Sequence, residues 1–324
     1  MVVVSMITFA IFFVVPRLAG QTPELMAARY VGPRANSDQY HLVAERLGFF
    51  DPIYVQYWNW LKAIFVGMEF DYGPGVEQCP APCLGYSYLK NTPVWPDLID
   101  RVTVTASLAI VAAVIWVLFG VATGVISALR RGTVFDRAAM GVALAGVSLP
   151  IFFTGLVSLV FFSYGRPFRI TAPGSSYTPI TENPGEWAYN LILPWITLAF
   201  LFAAAYARLT RAGMLETMNE DYIRTARAKG LPERTVVVKH GLRAALTPIV
   251  TIVGLDLGLL LGGAVLTESV FSLPGLGKYA VDAVMRQDFP QVMGATMFAT
   301  FFIVVANIVV DVVYGIVDPR VRVS

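Results

Sequence analysis

The chain has few charged residues and few of the side chains that most enzymes use. Only 14% of its 324 residues are charged, against about 25% in ordinary soluble domains. It contains two His and two Cys, and it has no G-x-x-x-x-G-K-S/T phosphate loop, no H-E-x-x-H and no G-x-S-x-G motif. We therefore predict that the chain is not an enzyme and does not hydrolyse ATP itself. The formal net charge of +2 gives no support to a nucleic-acid partner.

Hydrophobic residues, by contrast, make up 56% of the chain. Four long stretches contain no charge at all: Val104–Leu129, Ala138–Tyr164, Trp187–Ala207 and Phe289–Val310. Each is longer than the roughly 20 residues that cross a bilayer as a helix. A fifth stretch, Ala244–Thr267, carries one charge, Asp256, and the apolar run Val2–Val15 gives a sixth. We predict an all-α integral membrane protein with six transmembrane helices.

The Lys and Arg residues indicate how these helices are oriented. More than half of the 24 lie in three segments that would be cytoplasmic: 130–137, 208–245 and 318–324. Because cytoplasmic loops are enriched in Lys and Arg, both termini are predicted to be cytoplasmic. The chain then divides into a first transmembrane helix (1–19), an extracytoplasmic cap (20–103) and a five-helix core (104–324) with a cytoplasmic loop (212–245).

The cap is too long for a hairpin and too rich in Trp, Tyr and Phe for a disordered tether. We expect it to be folded, with room for a soluble binding protein to dock. It contains Cys79 and Cys83, the only two Cys of the chain. In an oxidising compartment such a pair is typical of a disulfide. Free thiols and a metal site are the alternatives, and a metal site would lack ligands because the nearest His is His41.

A compact charged segment, 221–248, lies between two apolar runs. We predict that Asp221 caps a helix over Tyr222–Lys229, that Gly230 ends it, and that Pro232 opens a second helix ending near Leu246. Ile223 and Ala226 share one face of the first helix. We interpret that face as a small knob for a partner protein, with a cationic rim of Arg224, Arg227 and Lys229. An ordinary basic cytoplasmic loop is the alternative.

This segment resembles the cytoplasmic loop of a known family. DYIRTARAKG at 221–230 is similar to the loop by which membrane subunits of ABC importers, in the peptide and nickel branch, contact their ATPase. Three further matches follow the order of the family: LGFFDPIYVQYWNW at 47–60, ESVFSLPGLGKY at 268–279 and NIVVDVVYGIVDPR at 307–320. Together they cover the chain from about residue 47 to its end. The segment 68–94, which contains both Cys residues, is not part of the family pattern.

The resemblance implies a type I ABC importer permease fold, with a coupling helix that fits a groove of the ATPase. The residues implied in that contact are Asp221, Tyr222, Ile223, Arg224, Thr225, Ala226, Arg227, Ala228, Lys229, Gly230, Leu231 and His240. The implied partners are a second, homologous permease subunit, two P-loop ATPase subunits and an extracytoplasmic substrate-binding protein. ATP and Mg²⁺ would be bound by the ATPase subunits, so no cofactor is expected in this chain.

The resemblance also implies location in the inner (cytoplasmic) membrane and import of di- or oligopeptides. Oligosaccharides and nickel chelates are alternative substrates within the family. Two alternative functions lie outside the family, a secondary transporter and a membrane scaffold. We detect no internal repeat of the kind found in many secondary transporters.

Family members begin with several basic residues before the first helix, whereas here the apolar run starts at Val2 and ends before Pro16 and Arg17. We expect a shortened first span with further residues upstream of Met1. A signal peptide is the alternative, but no basic residue precedes the run.

The few polar and small residues inside the predicted spans give further hypotheses. Asp256 would either line the translocation path, where it could meet a peptide ammonium, or hydrogen-bond a neighbouring helix. Small residues spaced by four predict a packing face on the same span: Gly254, Gly258 and Gly262. Asp256 would point away from that face. Asn307 and Asp311 lie four residues apart on the last span, and we favour helix packing over substrate contact for both.

Overall fold

The computed structural model describes residues 2–31, 36–71, 76–87, 89–164, 170–171 and 177–317, and this part of the chain is predominantly helical. The helices are α1 (Val2–Leu18), α2 (Pro23–Val31), α3 (Ser37–Arg46), α4 (Ile53–Val66), α5 (Val94–Leu129), α6 (Val134–Ser148), α7 (Ile151–Tyr164), α8 (Pro184–Thr217), α9 (Asp221–Ala228), α10 (Glu233–Leu261), α11 (Val265–Val270), α12 (Leu276–Met285) and α13 (Phe289–Val317). Between α4 and α5 lie two antiparallel hairpins, β1 (Met68–Asp71) with β2 (Val76–Cys79) and β3 (Tyr86–Ser87) with β4 (Thr92–Pro93).

The chain divides into two compact units. Unit 1 comprises Met1–Thr103 and Pro274–Val304, and unit 2 comprises Val104–Leu273 and Val305–Ser324. Unit 1 therefore includes the cap residues together with α12 and the first half of α13. The cap itself contains three helices and both hairpins, and its last ten residues are already the beginning of α5.

Local sequence signals fix several helix ends in unit 1. The Asn36 side chain accepts a hydrogen bond of 3.0 Å from the Gln39 amide, and the Gln39 side chain accepts one of 3.1 Å in return. This capping box starts α3. Helix α4 ends at Gly67, where φ is +86° and a Cβ atom would lie 2.7 Å from the Cys79 carbonyl oxygen. Glycine is required there because the second strand approaches the backbone so closely.

Two apolar clusters form the interior of unit 1. One joins α1, α2, α3 and the start of α13 through Phe9, Phe13, Met26, Ala27, Val43, Ala44, Phe49 and Met293. The other joins the start of α5 to α12 and α13 through Leu84, Val94, Leu98, Leu276, Tyr279, Ala295 and Phe298.

Unit 2 is organised by the close approach of α5 and α8. A Cβ atom on Gly120 would lie 2.8 Å from the Tyr206 Cβ atom, and one on Gly124 would lie 2.6 Å from the Ala207 carbonyl oxygen. Two glycines four residues apart thus let the helix backbones meet, as in the small-residue interfaces of membrane helices. The Trp116 side chain is fully buried beside them and stacks on Phe202 with ring centroids 4.5 Å apart.

Four helices in the described residues are long and apolar enough to cross a membrane: α5, α8, α10 and the Phe289–Val310 part of α13. A fifth candidate is the pair α6 and α7, and α1 is a shorter apolar helix. The membrane-protein class is supported, while the count of six remains a prediction.

The stretch Ala138–Tyr164, predicted as one continuous helix, is not one. Helices α6 and α7 meet at an angle of 103°. The break lies at Leu149, which has extended backbone (φ −85°, ψ 132°), followed by Pro150. A proline disfavours helical geometry in the residue before it, which accounts for the break.

The predicted fifth span, Ala244–Thr267, is not one continuous helix as far as Thr267. Helix α10 begins at Glu233 and ends at Leu261, because Gly262 and Gly263 follow and Gly263 has a φ of +134°. Thr267 lies in the separate helix α11.

Candidate functional site

The charged segment forms the short helix α9 and the beginning of α10. Asp221 is not the helix cap that we predicted: Glu220 has the extended backbone (φ −64°, ψ 148°) of the position before the helix, and its side chain makes no capping hydrogen bond. Asp221 is the first residue of the helix, where a carboxylate is favourable because of the helix dipole. The predicted stop at Gly230 is confirmed, since α9 ends before it and Gly230 has a φ of +77°.

The face of α9 that carries Ile223 and Ala226 points into the subunit. The two side chains are 0% and 7% exposed and form an apolar cluster with Val236, with Met218 packed against it. Our interpretation of this face as a knob for a partner protein is therefore wrong. The reason is local: α10 starts directly after Pro232, so its first turns cover the apolar face of α9.

The opposite face of α9 is exposed and is not covered by α10. The exposed residues between positions 221 and 231 are Asp221, Tyr222, Arg224, Thr225, Arg227, Ala228, Lys229, Gly230 and Leu231. By helical spacing, Asp221, Arg224, Thr225 and Ala228 form the side opposite Ile223 and Ala226. This mixed polar side, with the small Ala228 at its centre, is the surface that the subunit presents.

Arg227 fastens α9 to α10. Its Nη2 donates a hydrogen bond of 2.8 Å to Glu233 Oε1, and its Nε donates one of 3.2 Å to Glu233 Oε2. The Glu233 carboxylate raises the pKa of Arg227 above its ordinary value. A second ion pair, Arg224 with Asp221 at 3.4 Å, lies within α9. Arg227 thus belongs to the attachment of the helix, whereas Arg224 and Lys229 remain exposed.

The second helix of the segment does not end near Leu246, as predicted, but runs on to Leu261. After its first three residues, the stretch Val236–Leu242 is π-helical and contains the half-buried His240. Gly241 allows the end of α8 to come close, because a Cβ atom there would lie 2.8 Å from the Met218 sulfur. The exposed helix α9 is therefore packed against a helix that continues without interruption into the apolar part of unit 2.

In the last third of α10, five residues before its end, Asp256 has a partner on α8. The Tyr206 hydroxyl donates a hydrogen bond of 2.6 Å to Asp256 Oδ2. Tyr206 is buried, whereas Asp256 is only partly buried. The sequence left two roles open for Asp256, a hydrogen bond to a neighbouring helix and a place on the translocation path. The structure contains the hydrogen bond to the neighbouring helix, and it also leaves one side of Asp256 accessible.

The predicted glycine stripe is only partly inside the helix. A Cβ atom on Gly254 would overlap the Val310 side chain of α13. Gly258 is buried, but Gly262 is the residue at which α10 stops. Asn307 is exposed, and the side chain of Asp311 lies outside the described residues.

A buried ion pair that sequence analysis missed holds the ends of α5, α6 and α8 together. Asp136, 3% exposed, accepts hydrogen bonds of 2.6 and 2.8 Å from Arg211 Nε and Nη2, one of 2.9 Å from the Gly132 amide, and one from Ser127. Thr133 caps α6 by accepting a hydrogen bond from the Asp136 amide. The Thr-x-x-Asp spacing was the available signal, although nothing local indicates Arg211 as the partner.

Unit 1 contains a disulfide and a cavity. Cys79 and Cys83 are bonded, with Cα atoms 5.5 Å apart. Cys83 lines a cavity of about 250 Å³. Its walls are mainly apolar and aromatic, and the charged residues among those lining it are Glu45, Arg46 and Asp51. A concave apolar surface with a few polar groups is the usual form of a binding site.

The motif at 268–279 supplies buried polar residues rather than an exposed surface. Glu268 is completely buried and accepts hydrogen bonds of 2.8 Å from the Thr105 hydroxyl and 3.2 Å from the Ala264 amide. Tyr279 is buried in unit 1, with the Lys90 and Arg101 cations 4.8 and 4.6 Å from its ring centroid. Glu268 and Tyr279 therefore contribute to packing inside the subunit.

Comparison with known proteins identifies the family of the chain. Residues 120–323 match the family described as "Binding-protein-dependent transport system inner membrane component", and residues 1–109 match its N-terminal counterpart. The di/tripeptide transport system permease protein DppB of Pseudomonas aeruginosa is 36% identical over 98% of this chain and 94% of its own. The dipeptide transport system permease protein DppB of Escherichia coli K12 is 35% identical over the same shares.

A solved chain, described as an amino acid ABC transporter with histidines, covers 70% of this chain and 94% of its own at 15% identity. Its TM-score of 0.48 is too low to support an argument. The matches to the family extend over nearly all of the sequence. The chain therefore belongs to the inner membrane components of binding-protein-dependent transport systems, in the branch of the peptide permeases.

Proposed function

We propose that this chain is the translocation subunit of an ATP-driven importer of di- and oligopeptides. Its family supports the role as a membrane component that works with a binding protein. The substrate class is supported by relatives named as dipeptide and di/tripeptide permeases, which align over almost their full length. Energy would come from two separate ATPase subunits that bind ATP and Mg²⁺.

The observation that carries the proposal is the attachment of α9 to α10. One face of α9 is buried against Val236, and Arg227 is bonded to Glu233, so a displacement of α9 would be passed to α10. The other face, around Ala228, is exposed and available to the ATPase. A coupling element needs both properties, because a flexible loop would absorb a displacement that a packed helix transmits.

In this mechanism, closure of the ATPase subunits on ATP displaces α9, and α10 carries the displacement towards Asp256. The hydrogen bond from Tyr206 extends the connection to α8, and the close contact of Gly254 with Val310 extends it to α13. Helices linked in this way would move together between inward-facing and outward-facing states. The accessible side of Asp256 would face the path and meet the amino group of the peptide.

The topology belongs to the same proposal. Helix α1, the pair α6 and α7, and the four long helices would make six spans of the inner membrane. Both termini and α9 would lie on its cytoplasmic side. A second, homologous permease subunit would complete the path, and α13, with Asn307 exposed, would be available to it. The chain itself would hold no cofactor.

The extracytoplasmic binding protein would dock on the cap. The cavity lined by Glu45, Arg46 and Asp51 supports this, because an apolar pocket with a charged edge resembles the centre and rim of a protein interface. The disulfide holds one wall of that cavity through Cys83. The segment 68–94, which we predicted to lie outside the family pattern, falls within the residues matched by the N-terminal family model and would contribute to this docking surface.

The coupling role is tested by cysteine crosslinking in membranes that contain the complete importer. Ala228→Cys, on the exposed side of α9, is expected to crosslink to a cysteine in the ATPase groove, with a yield that changes when ATP is added. Ala226→Cys is the matched control, because it lies two residues away on the same helix but is buried. Equal crosslinking of both positions, or none from Ala228→Cys, would overturn the proposed orientation of α9.

Substrate class is tested by uptake into proteoliposomes that contain the complete importer and its binding protein. Dipeptides and oligopeptides are expected to be taken up, and to compete with one another, only when ATP is supplied to the ATPase side. Uptake of oligosaccharides or nickel chelates instead would contradict the proposed substrate class, but it would leave the coupling mechanism intact. Uptake by this chain without ATPase subunits would point to a secondary transporter.

A further inference from the structure

Helix α4, in the cap, has an exposed aromatic stripe. Tyr54, Trp58 and Phe65 are 75%, 63% and 76% exposed. Their positions, four and then seven residues apart, place them on one side of the helix. Lys62, also exposed, lies next to them and is the only charged residue of α4. Large aromatic side chains exposed together along one helix face mark a surface that contacts something.

A different side of α4 contacts α1. The Tyr57 hydroxyl is hydrogen-bonded to the Ser5 hydroxyl at 2.8 Å, and the Phe9 ring lies 5.3 Å from the Tyr57 ring and 5.8 Å from the Trp60 ring. These contacts of α4 involve side chains that are outside the aromatic stripe. They fix the orientation of the stripe relative to α1.

Helix α1 is itself apolar and exposes its other side. The exposed residues of α1 are Val2, Val3, Met6, Ile7, Ile11, Val15 and Leu18. Such a face, spaced by three and four residues, is suited to lipid. The stripe on α4 thus belongs to a helix that packs directly on a helix with a lipid-compatible face.

We propose that α4 lies in the outer-leaflet interface of the membrane, with Tyr54, Trp58 and Phe65 among the lipids and Lys62 at the phosphate groups. Trp and Tyr concentrate at membrane–water interfaces, and Lys places its ammonium at the headgroups while its stem remains apolar. An amphipathic helix in this position anchors the cap to the bilayer. The inference rests on the proposed assignment of α1 as a membrane span.

Charge distribution favours lipid over the binding protein as the occupant of this surface. A binding protein must leave after each delivery, and transient interfaces of this kind are more polar than permanent ones. The charged residues of the cap cavity, Glu45, Arg46 and Asp51, provide such a surface elsewhere in unit 1. The stripe on α4 has a single cation, which matches the phosphate of a lipid headgroup.

Spin-label accessibility tests this placement. The two cysteines of this chain are bonded to each other, so a single introduced cysteine can be labelled selectively in a complete importer whose other subunits have had their free cysteines replaced. Trp58→Cys and Tyr54→Cys report on the stripe, Ile7→Cys reports on α1, and Asp38→Cys reports on exposed cap surface. The importer is placed in nanodiscs of phosphatidylethanolamine and phosphatidylglycerol. Collisions are measured with oxygen, which concentrates in lipid, and with chromium oxalate, which remains in water. A nickel chelate is not used as the water-soluble reagent, because nickel chelates are possible substrates.

The labels at positions 54, 58 and 7 are expected to collide several-fold more with oxygen than with chromium oxalate, relative to the label at position 38. High chromium oxalate accessibility at positions 54 and 58 would overturn the proposal by placing the stripe in water. Low accessibility to both reagents would overturn it by placing the stripe against another subunit. If position 7 alone is accessible to chromium oxalate, the assignment of α1 as a span fails, and the proposal fails with it.

Discussion

The Tyr206 hydroxyl donates a 2.6 Å hydrogen bond to the Asp256 carboxylate, and this bond joins the last third of α10 to α8. A charged residue within a membrane helix costs up to about 2.5–3.5 kcal/mol on insertion scales, the value for the helix centre. The bond offsets part of that cost and also fixes the position of the carboxylate. Asp256 can therefore act both as a structural link and as a charge at a defined point on the path.

The two roles of Asp256 can be separated by substrate chemistry. Asp256→Asn keeps an oxygen that accepts the Tyr206 hydrogen bond but removes the negative charge. If that charge binds the peptide ammonium, transport of a dipeptide with a free amino group should fall about tenfold, the equivalent of ~1.4 kcal/mol. Transport of its N-acetylated analogue should change little. Initial rates of ATP-dependent uptake for the two substrates provide the measurement.

Tyr206→Phe is the matched control, because it removes the hydrogen bond and keeps the charge of Asp256. It should affect both substrates to the same extent. Equal losses for both substrates in Asp256→Asn would leave Asp256 with the structural role alone.

The sequence predicted the elements whose signals are local and strong. The charge-free stretches around Trp116 and Leu198 are long helices, and Gly230 ends α9. The motif at 221–230 also identified the exposed helix correctly. These features depend on composition over many residues or on a single glycine. They can therefore be predicted without knowing which helices contact one another.

Features that depend on which elements meet could not be predicted. Helical spacing placed Ile223 and Ala226 on one face, but whether that face was covered depended on the path of the chain after Pro232. Arg211 is distant in sequence from Asp136, so their ion pair has no local signal. The glycines at 120 and 124 indicate close packing only once α8 is placed beside them.

The contact between Gly254 and Val310 gives a prediction about packing. Gly254→Ala should lower the thermal stability of the detergent-solubilised importer, because the added methyl group overlaps a stiff β-branched side chain. Overpacking of this kind costs about 1–3 kcal/mol. Adding Val310→Ala should restore most of the loss. Thermal unfolding followed by size-exclusion chromatography measures both.

Gly141→Ala is the matched control, since Gly141 also lies within a helix but has nothing within 4 Å of its added Cβ atom. It should be neutral or stabilise by up to about 1 kcal/mol, because alanine has the higher helix propensity. A destabilisation equal to that of Gly254→Ala would mean that helix flexibility, rather than the contact with Val310, is what the substitution disturbs.

The ion pair of Asp136 with Arg211 gives a second stability prediction. Asp136→Asn leaves the guanidinium group without its bidentate partner and should lower the melting temperature strongly. Asp221→Asn breaks an exposed pair with Arg224 and should have a several-fold smaller effect. The double variant with Asp136→Asn and Arg211→Met should be more stable than Asp136→Asn alone. If the double variant is worse, the charge of Arg211 has another partner.

Asp288 gives a prediction about pH. It is buried in unit 1, where it accepts a hydrogen bond from Ser87 and one of 3.4 Å from the Gln291 amide. Burial raises the pKa of Asp288 above its ordinary value, although the Ser87 and Gln291 hydrogen bonds and the charge of Lys90 act in the opposite direction and Asp97 adds to the rise. The folded protein therefore binds this proton more tightly than the unfolded chain does.

The sign of the effect follows from this difference in proton binding. Stability from Asp288 is fully present below the carboxyl pKa of the unfolded chain, and it is lost as the pH rises through the higher pKa of the folded state. Asp288→Asn keeps the acceptor for Ser87 without the buried charge, so it should raise the melting temperature at about pH 8. At about pH 4, close to the ordinary carboxyl value, the difference should shrink towards zero. A difference that is constant across this range would show that Asp288 is protonated, or ionised, equally in both states.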